Sequence, residues 1–206
     1  MRAVETPNLP FEKTDEFLEC QFADIDLTRG TLSGKTFESC TFSACDFSEL
    51  NASRCKFIEC EFKACNLSLL KVQSSRFRSV ALQECKALGI DWTRADWPRF
   101  SGMAQLKFHE CILNDSSFFG LALEECVFDY CKARDVDFRE ADLTNARFSF
   151  TDFGGALFGK TNLSGADFSD AIDYDIDVFA NRIKGAKFSR CEAVRLLASL
   201  EIVLVD

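Results

Sequence analysis

The sequence predicts an all-β fold, a β-helix solenoid with four sides. Three observations predict it: large apolar residues recur every five positions, a small residue stands two places before them, and the spacing matches neither a helix nor a flat strand. Phe17, Phe22, Leu27, Leu32, Phe37, Phe42 and Phe47 share one phase, which Phe57, Phe62, Leu67, Phe77 and Leu82 continue. Trp92 and Trp97 keep it. The phase then slips by one residue and resumes through Phe108, Leu113, Phe118, Leu123, Phe128, Phe138, Leu143, Phe148, Phe153, Phe158, Leu163, Phe168 and Phe188. These two phases hold 17 of the 22 phenylalanines. All eleven cysteines lie two residues before a periodic position, and Ala141, Ala146, Ala156, Ala166, Ala171 and Ala186 take the same slot later. The slot therefore asks for a small side chain, and cysteine serves there as a small hydrophobe.

Each pentad reads as a short extended segment and a corner. With right-angle corners, four pentads close one square coil, residues twenty apart stack, and coils follow at the strand separation of ~4.8 Å. About nine coils would give a rod ~40 Å long. Along the chain, residues 1–16 form an N-terminal cap with Pro7 and Pro10. They lack the apolar centre of a secretory signal, and no run approaches a membrane span, so a cytoplasmic protein without membrane contact is expected. Residues 17–191 are the repeat. The slip falls at 98–103, where Pro98, Arg99, Phe100, Ser101 and Gly102 suit a bulge or small outward loop, either a partner-binding loop or a tolerated insertion.

Residues 192–206 leave the repeat. Val194, Leu197 and Leu200 have the spacing of an apolar helix face, and Ile202, Val203 and Leu204 lie in a terminal β-prone strand. Helix and strand either cover the last coil or pair with a second copy. So apolar a strand exceeds what covering one coil requires, and a homodimer through the C-terminus is expected.

Composition narrows the function. With 33 acidic and 24 basic side chains and a formal charge of -9, direct nucleic-acid binding is disfavoured. The cysteines form no C-x-x-C pair and His109 is the single histidine, so neither a metal site nor redox chemistry is indicated, and no cofactor is implied. A filled coil leaves no pocket for catalysis, so no catalytic residue and no enzyme activity are expected. The acidic residues concentrate late: Asp135, Asp137, Glu140, Asp142, Asp152, Asp167, Asp170, Asp173, Asp175 and Asp177 stand among only Arg139, Arg147 and Lys160. Asp135 and Asp137 flank one corner, and Asp175 and Asp177 fall forty residues later, so the four are expected to line one ridge. This surface is either a partner-binding face or a solvated face that keeps the rod soluble.

Ala141-Asp142-Leu143-Thr144-Asn145 and Ala166-Asp167-Phe168-Ser169-Asp170 resemble the A(D/N)LXX signature of pentapeptide-repeat proteins, whose fold is a right-handed quadrilateral β-helix. The resemblance covers about residues 17 to 191. The ending, Ile183-Lys184-Gly185-Ala186-Lys187-Phe188 followed by Ala193-Val194-Arg195-Leu196-Leu197 and an apolar strand, is similar to the C-terminus of the Qnr-type branch. That resemblance implies a C-terminally joined dimer, a DNA-mimicking rod that binds DNA gyrase, with topoisomerase IV as the alternative target, and relieves its poisoning by quinolones or peptide toxins. Several Qnr proteins carry two projecting loops. Here the first is absent and the second is reduced to the slip near Pro98, so immunity proteins against albicidin or microcin fit at least as well. A scaffold rod with a different protein partner is the alternative reading. DNA carries one charge per ~1.7 Å and such a dimer one per ~5 Å, so placement of charge must matter as much as its sum.

Overall fold

Residues 11, 14–97, 106–200 and 202 are described by the computed structural model. The chain winds into a four-sided β-solenoid of about eight turns, slightly fewer than the repeat arithmetic suggests. Strands Glu16–Leu18, Thr36–Glu38, Lys56–Ile58 and Arg76–Arg78 stack as one face. Gln21–Ala23, Thr41–Ser43, Glu61–Lys63, Val80–Gln83, Leu106–His109 and Val127–Asp129 form the second, which Asp167–Phe168 and Lys187–Phe188 extend. Single-residue bridges make the third face, from Asp26 through Asp46, Asn66, Lys86, Ile112, Lys132 and Asp152 to Ile172. The fourth begins with Thr31–Ser33 on Asn51–Ser53 and continues through Lys71, then from Asp91 through Ser117 and Asp137 to Leu157. All of these pairings are parallel.

The local cause is the pentad. In strands such as Glu16–Leu18 and Glu61–Lys63 the middle residue is buried and its neighbours are exposed. Two residues after the inward position the backbone enters the left-handed region, at Glu19 (φ 53°), Ser39 (φ 52°), Asp135 (φ 56°) and most other corners. For a residue with a Cβ this conformation costs roughly 1–2 kcal/mol. What offsets it is cooperative stacking. Amide groups pair from coil to coil, as in Thr41 N to Cys20 O and Glu61 N to Cys40 O, both 2.9 Å. The rings of Phe17, Phe37, Phe57 and Phe77 stack inside at 5.0, 5.2 and 5.2 Å.

The small slot is more than a matter of size. The thiols of Cys40, Cys60, Cys65 and Cys85 donate to the carbonyls of Phe17, Phe37, Phe42 and Phe62 in the preceding coil, each at 3.4 Å. Ser75 and Thr161, in the same slot, donate to Ala52 O at 2.6 Å and Phe138 O at 2.9 Å. Alanine fills the slot without this bond. None of the eleven cysteines forms a disulfide; Cys20 is half-buried, Cys191 exposed and the rest buried. Burial pushes the Cys60 thiol up to about 12.

Three regions correct the sequence reading. Val80 pairs with Leu106 and Lys86 with Ile112, an offset of 26 residues where the neighbouring coils have 20. The insertion is therefore six residues, a whole pentad plus one, because a phase read modulo five cannot register the pentad. Register is kept up to Trp97, whose ring stacks on Phe77 at 6.0 Å and whose Nε1 donates to Trp92 O at 2.7 Å, so the extra residues fall within 98–105. Pro98, Arg99, Phe100, Ser101 and Gly102 lie outside the described residues. Near the C-terminus, Tyr174 and Ile176 turn inward in place of position 173, since Asp173 cannot enter an apolar interior. The final helix, Glu192–Leu200, is a 3-10 helix, in which residues three apart eclipse. Val194, Leu197 and Leu200 thus share one side, with Val194 and Leu200 exposed, while Leu196 packs on the core. Ile202 is exposed, and Val203 and Leu204 lie outside the described residues. At the other end Phe11 is buried against Phe17, Phe22 and Phe37. Among the described residues no helix is long and apolar enough to cross a membrane.

Two outcomes follow. Folded protein treated with a thiol-reactive dye is expected to label only Cys20 and Cys191 rapidly, and all eleven after unfolding; fast labelling of further thiols would mean that the slot does not face the interior. Deleting six residues within 98–105 is expected to leave the thermal midpoint and cooperativity nearly unchanged in circular dichroism, because the ladder then keeps its 20-residue offset. Loss of cooperative unfolding would place the inserted residues inside the load of the ladder.

Candidate functional site: the acidic C-terminal surface

Most of the ten carboxylates fall into two structural positions. One residue before the inward position, Asp137, Asp142, Asp152 and Asp167 turn back to accept the backbone N–H two residues on, from Arg139, Thr144 and Gly154 at 3.0 Å and from Ser169 at 2.9 Å. Asp26, Asp46, Asn66 and Asn162 do the same. This Asx-type brace closes the corner and is the physical reason for Asp or Asn at that place in the repeat. Asp177 braces the chain similarly, accepting from the amides of Phe179 at 2.7 Å and Ala180 at 3.2 Å. Asp135, Glu140 and Asp170 instead occupy left-handed corners. There Asp135 lies over Gly155, where an added Cβ would meet its Oδ1 at 2.3 Å.

Most of the negative charge is paired. Arg139 grips Asp137 through Nε and Nη2 at 2.9 and 2.8 Å, and Arg134 holds Asp152 at 2.6 Å. Lys187 reaches Asp167 at 3.1 Å and Lys160 reaches Glu140 at 3.3 Å. Arg195 joins the terminal helix to the last coil, meeting Asp173 at 3.3 Å, Asp175 at 3.2 Å and Tyr174 O at 3.1 Å. Arg134, Lys187 and Arg195 lie outside the acidic interval of the sequence, so charge counted along the chain overstates charge in space. Hydrogen bonding from Arg139 holds Asp137 below the ordinary carboxylate value. Burial pushes Asp152 and Asp167 upward, but bonds from Arg134 and the Gly154 amide, and from Ser169 and Lys187, outweigh it and hold both low.

The expected ridge of four carboxylates is broken. On its face the ladder runs from Asp137 to Leu157, and no bridge links Leu157 to position 177, because the inward turn of Tyr174 and Ile176 takes the chain out of register. Asp135 and Asp137 form one group. A second group, Asp173 and Asp175, meets Arg195 at the last coil, with Glu192 accepting the Asp173 amide at 3.1 Å, and Asp170 and Asp177 flank it along the chain. Asp135 and Asp170 are exposed and carry no ion pair among the described residues. Around this end Phe179 is 76% exposed, and Val194, Leu200 and Ile202 are exposed. Sequence reasoning passed over Phe179 and Arg195. The signal for Phe179 was its place outside the five-residue phase, which it shares with Phe119 and Phe150, both also exposed.

A parallel four-sided solenoid with a packed interior and its polar groups on the outer faces defines a repeat protein. The family model of the pentapeptide repeat region matches residues 35–101 and 100–168, and the chain belongs to this family. Among solved structures, a trypsin-treated variant of QnrB1, described as a plasmid-mediated fluoroquinolone resistance protein, is similar with a TM-score of 0.70 and 19% identity, covering 92% of this chain and 97% of that one. A second treated variant of QnrB1 aligns with a TM-score of 0.49 and 21% identity over 93% of this chain and 92% of that one. HetL from the cyanobacterium Nostoc, a pentapeptide-repeat protein involved in regulating heterocyst differentiation, aligns with a TM-score of 0.43 and 16% identity, over 83% and 84%. No curated protein matches the chain.

Because Asp137, Asp152 and Asp167 are held low in the folded state, their contribution to stability is complete above the unfolded carboxylate value of about 4 and is lost as pH falls through the folded values. The thermal midpoint is expected to drop below about pH 4. Asp152→Asn, which keeps the brace and removes the charge facing Arg134, is expected to lower the midpoint at pH 7 and narrow its difference from pH 3. An unchanged pH profile would show that the Arg134 pair adds nothing to the fold.

Proposed function

We propose that the protein is a non-enzymatic rod that binds a type II topoisomerase, chiefly DNA gyrase, and protects it from a poison of the quinolone, albicidin or microcin class. The observation that carries this reading is the terminal segment, where Asp173 and Asp175 meet on Arg195 while Phe179, Val194, Leu200 and Ile202 are exposed. Two copies joined through that end would bury the apolar side chains and set both acidic groups about one twofold axis, where a basic DNA-binding surface can dock. The C-terminal residue pattern of the Qnr-type branch supports the same arrangement, and the fold likeness to a fluoroquinolone resistance protein agrees with it. The protein would act in the cytoplasm, with topoisomerase IV as a second target.

The test is a supercoiling assay with purified gyrase, run with and without each poison, beside a binding measurement at low salt. Relief of inhibition by at least one poison is expected, with binding that salt and added duplex DNA weaken. Charge reversal at Asp135 and Asp170, which hold no ion pair, is expected to weaken binding without lowering the thermal midpoint. Absence of gyrase and topoisomerase IV binding would leave the rod a scaffold for another protein and end this reading.

A further inference from the structure

The corner between the second and third faces carries a feature the core does not use. Tyr130 and Phe150, one coil apart, both occupy left-handed corner positions, with φ of 54° and 56°. Bulky side chains tolerate this conformation poorly, and the earlier corners of the same column hold Asp24, Ala44, Ala64, Glu84 and Glu110. Tyr130 and Phe150 are 51% and 50% exposed, so neither helps to fill the interior. Their rings stack at 4.7 Å with an interplanar angle of 11°, and His109 closes on Tyr130 edge-on at 5.6 Å. Glu110, whose Oε1 lies 3.3 Å from His109 Nε2, ends the aromatic stretch on one side and Asp170 on the other, each one coil away in the column. Of the neighbouring cations, Arg147 is held by Asp129, and Lys132 stands on the adjoining face.

We infer that this aromatic corner is a contact surface for an arginine-bearing segment of a protein partner. A guanidinium lies flat on an aromatic face and pairs in a fork with a carboxylate, and the column offers two rings between two carboxylates. Stacked nucleic-acid bases need cations that follow their phosphates, and the carboxylates bounding this column repel those phosphates. The surface lies on the same half of the rod as the acidic C-terminal group, and Asp170 stands three residues before Asp173 of that group. Its use toward gyrase rests on the function proposed above, whereas its preference for arginine does not.

The test uses the full-length protein and a variant with Tyr130→Ala and Phe150→Ala, which keeps every charge. A nine-residue arginine peptide is expected to bind the variant about threefold or more weakly, and a lysine peptide to show less difference. The thermal midpoint is expected to stay or rise, because alanine relieves the crowding of a bulky left-handed residue. Equal binding of the arginine peptide to both proteins would overturn the inference whether or not gyrase binds. With gyrase as the probe, a loss of about tenfold is expected in the variant. Gyrase bound equally by both would confine the inference to another partner's contact and overturn its role at gyrase, while gyrase bound by neither would sink the proposed function and leave the peptide result to decide the surface.

Discussion

The molecule depends on one constraint, the pairing of each coil with the next at an offset of 20 residues, or 26 across the insertion. Parallel strands this short cannot stand alone, since three residues supply too few bonds to offset their own ordering. Stacked, they share a ladder along which phenyl rings, thiols and corners all repeat. The left-handed corners are tolerated for the same reason. Each is locally unfavourable, and at most of them the corner amide donates to the next coil, as Ser39 does to Ile58 O at 2.9 Å. The thiols and hydroxyls of the small slot add a second set of coil-to-coil links inside the tube, from Cys60 to Phe37 and from Thr161 to Phe138.

The same constraint reorganises the surface charge. An Asp one place before the inward residue braces its corner whatever the protein binds, as Asp46 and Asp142 do in opposite halves of the rod. Stacking also brings Arg134, Lys187 and Arg195 to carboxylates that lie 18 to 22 residues away in the chain. An acidic count along the sequence therefore mixes braces, paired charges and free ones. Of the ten late acids, Asp135 and Asp170 are exposed with no ion pair among the described residues, so their position carries more of the functional argument than the acidic count.

The coil was legible because burial has a period of five that no helix or flat strand shares, and ten of the eleven cysteines marked its small slot, Cys191 being exposed beside the terminal helix. The brace was also written in the chain, as Asp or Asn followed two places later by Ser or Thr in Asp46 and Ser48 or Asn162 and Ser164. It went unread because abundant acids suggest a binding face first. The size of the insertion was illegible in principle, since adding a whole pentad restores the phase. Position 173 announced trouble by placing Asp where an apolar residue belongs, but which neighbour would replace it depended on packing, and Tyr174 filled the space.

By itself the sequence determined the solenoid, its four sides and the inward residues, because periodic burial leaves one way to hide so many phenylalanines. Tertiary structure decided which carboxylates are free, where the ladder loses register, and which aromatics face outward at Tyr130, Phe150 and Phe179. These depend on neighbours a full coil away, and along the chain nothing but the 20-residue offset connects them.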